Sequence, residues 1–269
     1  MKLDWPIRAN TNLASISKSI RKTVLELTYK TKSPHIGSCF SCVEIITALY
    51  FQVFFQVLSS RFILSKGHAC LTLYSVLEKR GILPSDVLKR YGIDNGLLEH
   101  HPKLNRDWGI EVTSGSLGHG LSLGCGLAQG AKLKKTNFRT FVLLSDGELN
   151  EGSTWEALMY APQNKLNNLT AIIDYNKIQA LGFTNEIIDL DPLADKMKAF
   201  GWHVIEIDGH DYSQIISALT STHEQYPTVV IAHTIKGKGV SFMENQLLWH
   251  YRCPDEGEFH QAMNEINNF

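Results

Sequence analysis

The stretch TFVLLSDGELNEGSTWEALMYAPQNKLNNLTAIIDYNKIQ (140–179) decides the fold. It opens on a continuous apolar run, TFVLLS (140–145), of the kind a parallel strand needs when both its faces are covered. An acidic turn with two glycines follows, and STWEALMYAPQNKL (153–166) then reads as a helix, with Pro162 an irregularity near its end. TAIIDY (170–175) is a second buried strand. Strand, helix and strand in that order imply a right-handed crossover within a parallel sheet. Ligands of such sheets bind beyond the carboxyl ends of the strands. Asp146 stands at one such end and residues 174–176 at the next.

The same alternation continues downstream. PLADKMKAFG (192–201) and YSQIISALTST (212–222) read as helices, HVIEID (203–208) and TVVIAHT (228–234) as strands. Upstream, Leu13, Ile16, Ile20, Val24 and Leu27 recur three and four apart and predict a helix over 11–31. SPHIGS (33–38) breaks it, since Pro34 and Gly37 do not continue a helix. Residues 41–57 are apolar almost all round and predict one buried helix. FILS (62–65) is strand-like; helices follow over 69–79 and 84–91, then a loop-rich region to 119 and a small-residue helix over 121–133. There is no linker, repeat or low-complexity segment. The expected fold is α/β: one doubly wound, mainly parallel sheet with helices on both faces, a single domain over 1–269.

Composition narrows the function classes. Of 269 residues 43% are hydrophobic and 20% charged, which argues against disorder. With 26 basic and 27 acidic residues there is no global pull toward nucleic acid or an anionic membrane. The start, MKLDWPIRANTNLAS, lacks an apolar signal core, and Thr47, Gln52 and Gln56 interrupt the longest apolar stretch. Five cysteines without a secretion signal fit a reducing cytosol, so the expected location is cytoplasmic. Cys39 and Cys42 are read as small buried hydrophobes rather than as a redox or zinc pair.

Two strand ends then point at one crevice. Asp146 and Asn176 are oxygen donors of the hard type that suits Mg²⁺ or Ca²⁺ when a diphosphate supplies further oxygens. Gly147 allows close approach to a phosphate, and the helix beginning near Ser153 places its positive end nearby. An N-capping carboxylate and a turn asparagine would look the same in any α/β protein. The histidines add weight: His35, His68, His101, His119 and His250 each sit in a loop punctuated by Gly or Pro. SKGHA puts Lys66 and His68 at a helix N-terminus, where anions are favoured. GSLGHG offers main-chain groups around Ser116 and Leu117 to a flat ligand. An imidazole donates to phosphate or moves a proton from a sugar hydroxyl near neutral pH.

SPHIGS, SKGHA, GSLGHGLSLGCGLA, SDGELNEGSTWEAL with DYNKIQ, and IKGKGVSFMENQLLWH (235–250), in this order, resemble the thiamine-diphosphate motifs of transketolases. The resemblance runs from about Lys30 to His250. It implies Asp146, Asn176 and the Ile178 carbonyl as Mg²⁺ ligands, with Ca²⁺ or Mn²⁺ as substitutes, and Gly147 on the diphosphate. It implies His68 and His250 at the diphosphate and the reacting centre. Gly115, Ser116 and Leu117 would lie beside the aminopyrimidine ring, His35 and His101 on donor-ketose hydroxyls, and Glu151 near a contact between protomers. Glu148 and Asn150 remain ordinary loop residues in this reading.

The chain stops soon after the pyrophosphate-type domain, and nothing in it reads as the pyrimidine-type or C-terminal domain of the family. The resemblance therefore implies the N-terminal subunit of a split transketolase. A separate pyrimidine-domain subunit is its expected partner, with self-association into an α2β2 assembly and sugars or sugar phosphates as substrates. The implied reaction moves a two-carbon ketol unit from a ketose to an aldehyde. Two departures from the family stand out. Ser145 replaces the usual glycine before Asp146, and the 57–61 loop (VLSSR) is short, which leaves a specialised sugar pathway open beside central metabolism. The competing readings are part of a 2-oxo acid dehydrogenase or of a deoxyxylulose-phosphate-synthase-like enzyme, and a non-catalytic scaffold. A dinucleotide-binding enzyme has only the loose glycine pattern GHGLSLG in its favour.

Overall fold

The structure, a computed structural model, describes residues 12–57 and 60–269. The N-terminal stretch before Asn12, and Leu58 and Ser59 of the short loop, lie outside the described residues. Helix α1 (Leu13–Thr31) is capped by the Asn12 side chain, which accepts from the Ser15 N–H. Helices α2 (Ile36–Ser41), α3 (Val43–Ala48) and α4 (Phe54–Gln56) come next, with a π-helical turn at Leu49–Val53 between the last two. Strand β1 (Arg61–Leu64) leads through α5 (Cys70–Lys79), α6 (Ser85–Leu88) and α7 (Gly120–Leu133) to β2 (Thr140–Ser145). Then come α8 (Gly152–Gln163), β3 (Leu169–Tyr175), the hairpin β4 (Ile178–Gln179) and β5 (Gly182–Phe183), α9 (Thr184–Ile187) and α10 (Leu193–Ala199). The chain closes with β6 (His203–Asp208), α11 (Tyr212–Thr220), β7 (Thr228–His233) and α12 (Glu256–Asn268).

Five strands form one parallel sheet in the order β1-β2-β3-β7-β6. This is the mainly parallel, doubly wound α/β sheet expected from the sequence. Every residue of β2 and β3 is buried, which is why these segments are apolar without alternation. One apolar layer joins α7, α8 and α10 to the sheet through Leu121, Ala157, Leu158 and Met197. The opposite layer joins α1, α3, α5 and α11 through Val24, Ile46, Leu73 and Ile215. The path advances from β1 to β3, passes to β6 at the far edge, and returns to β7. Such a reversal opens a crevice at the carboxyl ends of the strands. Register places Ser145 beside Asp174, and Tyr175 beside His233, along that edge.

Several expectations need correction. Gly37 does not break a helix; it lies inside α2, and only Pro34 precedes it. A Cβ on Gly37 would stand 3.1 Å from the Trp249 carbonyl oxygen and 3.2 Å from Lys236 Cγ, so close approach demands the glycine. The single helix expected over 41–57 is three pieces, because a wide π-helical turn interrupts it. Pro162 sits in the last turn of α8, where it lacks the N–H that would reach the Leu158 carbonyl. The Trp202 indole donates to that oxygen at 2.8 Å instead. Cys39, Cys42, Cys70 and Cys125 are free and buried. Burial pushes the Cys42 thiol up to about 12, as suits a small apolar group rather than a nucleophile. Among the described residues no helix is long and apolar enough to cross a membrane.

Candidate active site

The carboxyl ends of β1, β2, β3 and β7 supply Ser65 and Lys66, Asp146, residues 174–176, and Thr234 with Lys236, respectively. Asp146 is only 1% exposed. Its Oδ1 accepts the Gly147 N–H at 2.7 Å and its Oδ2 the Lys177 N–H, which sets the carboxylate's direction. Asn176 turns its Oδ1 back to the Ile178 N–H at 3.2 Å. The Ile178 carbonyl accepts from Lys236 Nζ at 3.2 Å. Lys177 between them has φ +66, a left-handed kink that turns the chain sharply after β3. Burial and the adjacent Asp174 push the Asp146 carboxyl up to about 6, against the pull of Lys236 and the two N–H groups.

Lys66 is not free to meet an anion, contrary to the sequence reading. It is fully buried, and its Nζ donates to Asp174 Oδ2 and to the Ser38 carbonyl at 3.0 Å. Asp174 also accepts from Thr234 and, at 2.6 Å, from Ser41. Burial alone would raise Asp174, but Lys66 and these hydroxyls hold it below its ordinary value. Removing one partner of such a pair strands the other as a buried charge. Lys66→Ala is expected to cost about 3–5 kcal/mol of unfolding free energy in urea titrations. A change under about 1 kcal/mol, the level of an exposed pair, would show that water rescues Asp174.

Three of the four predicted catalytic histidines meet closely. The His35 ring centroid lies 5.3 Å from those of His68 and His250. His68 and His250 are 5.7 Å apart, and His101 stands 6.4 Å from His35. His35 holds its place in a left-handed conformation at φ +76 and donates its N–H to the His250 carbonyl at 3.0 Å. Lys236 Nζ lies 3.1 Å from His250 Nδ1, so the neutral His250 ring carries its hydrogen on Nε2. His119, which sits in another glycine-punctuated loop, is exposed at the start of α7 and outside the cluster.

Burial, then His101 and Lys236, lower His35 to about 4; burial, then Lys236 and His35, lower His250 to about 3. Burial and Lys66 hold His68 well below its ordinary value, and burial with His100 lowers His101. The cluster is therefore neutral at physiological pH. A depressed imidazole contributes stability that is present above the unfolded value near 6.5 and lost as pH falls through the folded value. Imidazole NMR is expected to show His35 and His250 unprotonated from pH 8 to pH 5, with global stability falling below about pH 6. Either ring titrating near 6.5 in the folded protein would contradict this.

Over residues 13–264 the chain matches the family described as "Transketolase, thiamine diphosphate binding domain". It belongs to the transketolase family. It is 40% identical over 260 residues to an apulose-4-phosphate transketolase subunit of Phocaeicola vulgatus, covering 93% of this chain and 92% of that one. It is 38% identical over 256 residues to "6-deoxy-6-sulfo-D-fructose transketolase subunit SqwG" of Clostridium sp., covering 92% and 93%. With the transketolase of Homo sapiens the identity is 34% over 262 residues, covering 94% of this chain but 42% of that one. The solved transketolase of Leishmania mexicana superposes with a TM-score of 0.86 at 26% identity, over 96% of this chain and 42% of that one. The chain thus spans about two fifths of the solved transketolases it matches.

The donor set of this transketolase-family site suits a divalent cation brought in with a diphosphate. Asp146 Oδ1 and Oδ2, Asn176 Oδ1 and the Ile178 carbonyl each accept one hydrogen bond and retain a second lone pair. Among the described residues no three His, Cys, Asp or Glu side chains form a metal cage of their own. An incoming cation would also relieve the Asp146–Asp174 repulsion. A Cβ on Gly147 would meet the Gln179 Cβ at 2.9 Å, so that backbone stays bare. Gly115 packs against the His101 ring, within 3.3 Å of a would-be Cβ, which places the 115–117 backbone next to the histidines. Ser116 is exposed and Leu117 half-buried. Glu151 is exposed at the start of α8.

Sequence reasoning passed over two residues. Lys236 is 1% exposed and joins Ser38, Ile178 and His250 through one ammonium group. Burial and Lys66 bring it down to about 8, against Asp146 and Asp174. The glycines of KGKG around it were the available signal. Glu148 is not an ordinary loop residue, since it is fully buried. Asn150 is tied to Gln179 by a 3.1 Å hydrogen bond.

Proposed function

We propose that this chain is the N-terminal subunit of a split transketolase, a single pyrophosphate-type domain that binds thiamine diphosphate through Mg²⁺. Together with a separate pyrimidine-domain polypeptide it transfers a two-carbon ketol unit from a ketose donor to an aldehyde acceptor. The observation that carries this reading is the convergence of the Asp146, Asn176 and Ile178 oxygens with His35, His68, His101 and His250 at one strand-end crevice. Asp146, Asn176 and Ile178 would hold the cation, and Gly147 would let the backbone approach the diphosphate. Bound thiamine diphosphate would supply the carbanion chemistry that protein side chains lack. His68 and His250 would contact it, and the 115–117 backbone would face its ring. His35 and His101 would hold donor hydroxyls as neutral rings that both donate and accept.

The near full-length match to proteins whose names make them one component of a transketolase supports the split. So do the exposed side chains of Leu181, Phe183, Ile188, Leu248 and Tyr251, which lie on the segments that carry Ile178 and His250. The relatives' names also favour a specialised sugar pathway over central metabolism. A cytosolic α2β2 assembly completes the proposal. The test is to reconstitute the chain with its partner and supply a panel of phosphorylated and sulfonated ketoses, with pyruvate as control. Ketol transfer from a ketose is expected; turnover of pyruvate alone would favour a 2-oxo acid enzyme.

A further inference from the structure

Glu148 follows the proposed metal ligand by two residues, and the reading above gives it no task. Its side chain is fully buried. One oxygen, Oε1, accepts both the Ser65 hydroxyl and the Gly118 N–H, the latter at 2.9 Å. Ser65 Oγ in turn accepts the Gly120 N–H at 3.1 Å. A Cβ on Gly120 would come within 2.1 Å of Ser65 Oγ, so the end of β1 and the start of α7 are in contact. The Gly118 carbonyl accepts from the Ser153 hydroxyl at 2.9 Å. Gly118 has φ +88, and a Cβ there would meet Ser153 Oγ at 2.6 Å and Glu151 Cβ at 2.8 Å. Both main-chain groups of Gly118 are therefore held from the segment that follows Asp146.

The other Glu148 oxygen, Oε2, is buried without a hydrogen-bond partner. A carboxyl buried with one idle oxygen is an expensive way to close a turn, and an apolar side chain of similar size would fill the space at less cost. What the carboxyl adds is a directional grip on Gly118 and Ser65.

We propose that Glu148 is a positioning residue that couples the metal-bearing turn to the 115–118 backbone. This inference rests on the thiamine diphosphate reading above. The turn that would hold the cation and the loop that would face the cofactor's ring are set by one side chain. Glu148 itself touches neither group. Its removal should therefore leave the cation–diphosphate half of the site in place and loosen the ring half.

Calorimetric titration of two ligands into the chain reconstituted with its partner separates these halves. Inorganic pyrophosphate with Mg²⁺ probes the metal–diphosphate half alone, and thiamine diphosphate with Mg²⁺ probes both. Glu148→Ala is expected to weaken thiamine diphosphate about tenfold while pyrophosphate stays within about twofold, the scale of one charge-assisted hydrogen bond. Glu148→Gln keeps an oxygen acceptor for Gly118 and should restore most of the affinity. Ser65→Ala should fall between the two. Amide exchange over 115–120 should quicken in Glu148→Ala without ligand. Equal losses for both ligands, or no loss for either, would overturn the coupling and leave Glu148 as a packing residue. If the unsubstituted chain reconstituted with its partner binds neither ligand, the functional reading fails and the inference fails with it. If it binds both and Glu148→Ala behaves identically, only the role of Glu148 is lost.

Discussion

Replacing Asp146 with alanine is expected to abolish Mg²⁺-dependent binding of thiamine diphosphate. Of the three proposed ligands, Asn176 and Ile178 offer neutral oxygens, and only Asp146 brings a charge. Its direction is set in advance by the Gly147 and Lys177 N–H groups. Loss of an outer-shell partner of a metal ligand typically costs 10–100-fold in affinity, so loss of the ligand itself should exceed about 100-fold. Unchanged affinity in calorimetry would refute the metal assignment. The same substitution has a second signature in the metal-free protein. Burial and the neighbouring Asp174 push the Asp146 carboxyl up to about 6 in the fold, above its ordinary 3.8. A raised carboxyl contributes stability that is fully present below the unfolded value and lost as pH rises through the folded one. Between pH 4 and pH 7 the unsubstituted chain should lose up to about 3 kcal/mol from this group, and the alanine variant should not. The histidines oppose this trend in both proteins, and Lys236, which Asp146 holds up, shifts with the substitution, so the sign of the difference between the two curves is what reports Asp146.

The second large effect is expected from the partner. The purified chain with thiamine diphosphate and Mg²⁺ should show ketol transfer at least about 100-fold below the reconstituted pair, since even a 1 Å misplacement of reacting groups costs that much. Adding the pyrimidine-domain polypeptide should restore turnover with a titratable stoichiometry. The imidazole cluster presents neutral, buried to half-buried rings with Tyr251, 58% exposed, beside His35 and His250, and Leu181, 75% exposed, lies three residues beyond Ile178. Apolar groups left so exposed are suited to cover by another protein surface. Robust turnover by the chain alone would refute the split reading and leave the metal assignment untouched.

The sheet was legible because its signal is local. TFVLLS and HVIEID form β2 and β6 over the residues the pattern marks out, and the flanking helices lie within a few positions of expectation. The central strands, buried on both faces, are near-continuously apolar, the edge strand β6 mixes polar and apolar residues because part of it faces water, and helices packed on the sheet repeat at three and four. Helix α12 carried a usable signal that the reading missed. Asp255 followed three residues later by Glu258 is a capping box, and both reciprocal hydrogen bonds form. The hairpin of β4 and β5 has two residues per strand, too few for any period to show.

The sequence by itself determined the chain order of the five sheet strands and of the helices between them, and the motifs that belong to strand ends and glycine turns. It placed Asp146, Asn176 and the histidines on loops that a parallel sheet must gather at one edge. Only the tertiary structure decided which charges face inward. Lys66 and Asp174 are 108 positions apart, Lys236 and Ser38 are 198 apart, and Glu148 and Ser65 are 83 apart. A lysine beside a glycine and a histidine reads the same whether it meets a ligand or a buried carboxylate. The difference lies in desolvation, and desolvation is set by residues distant in sequence that the fold brings to contact.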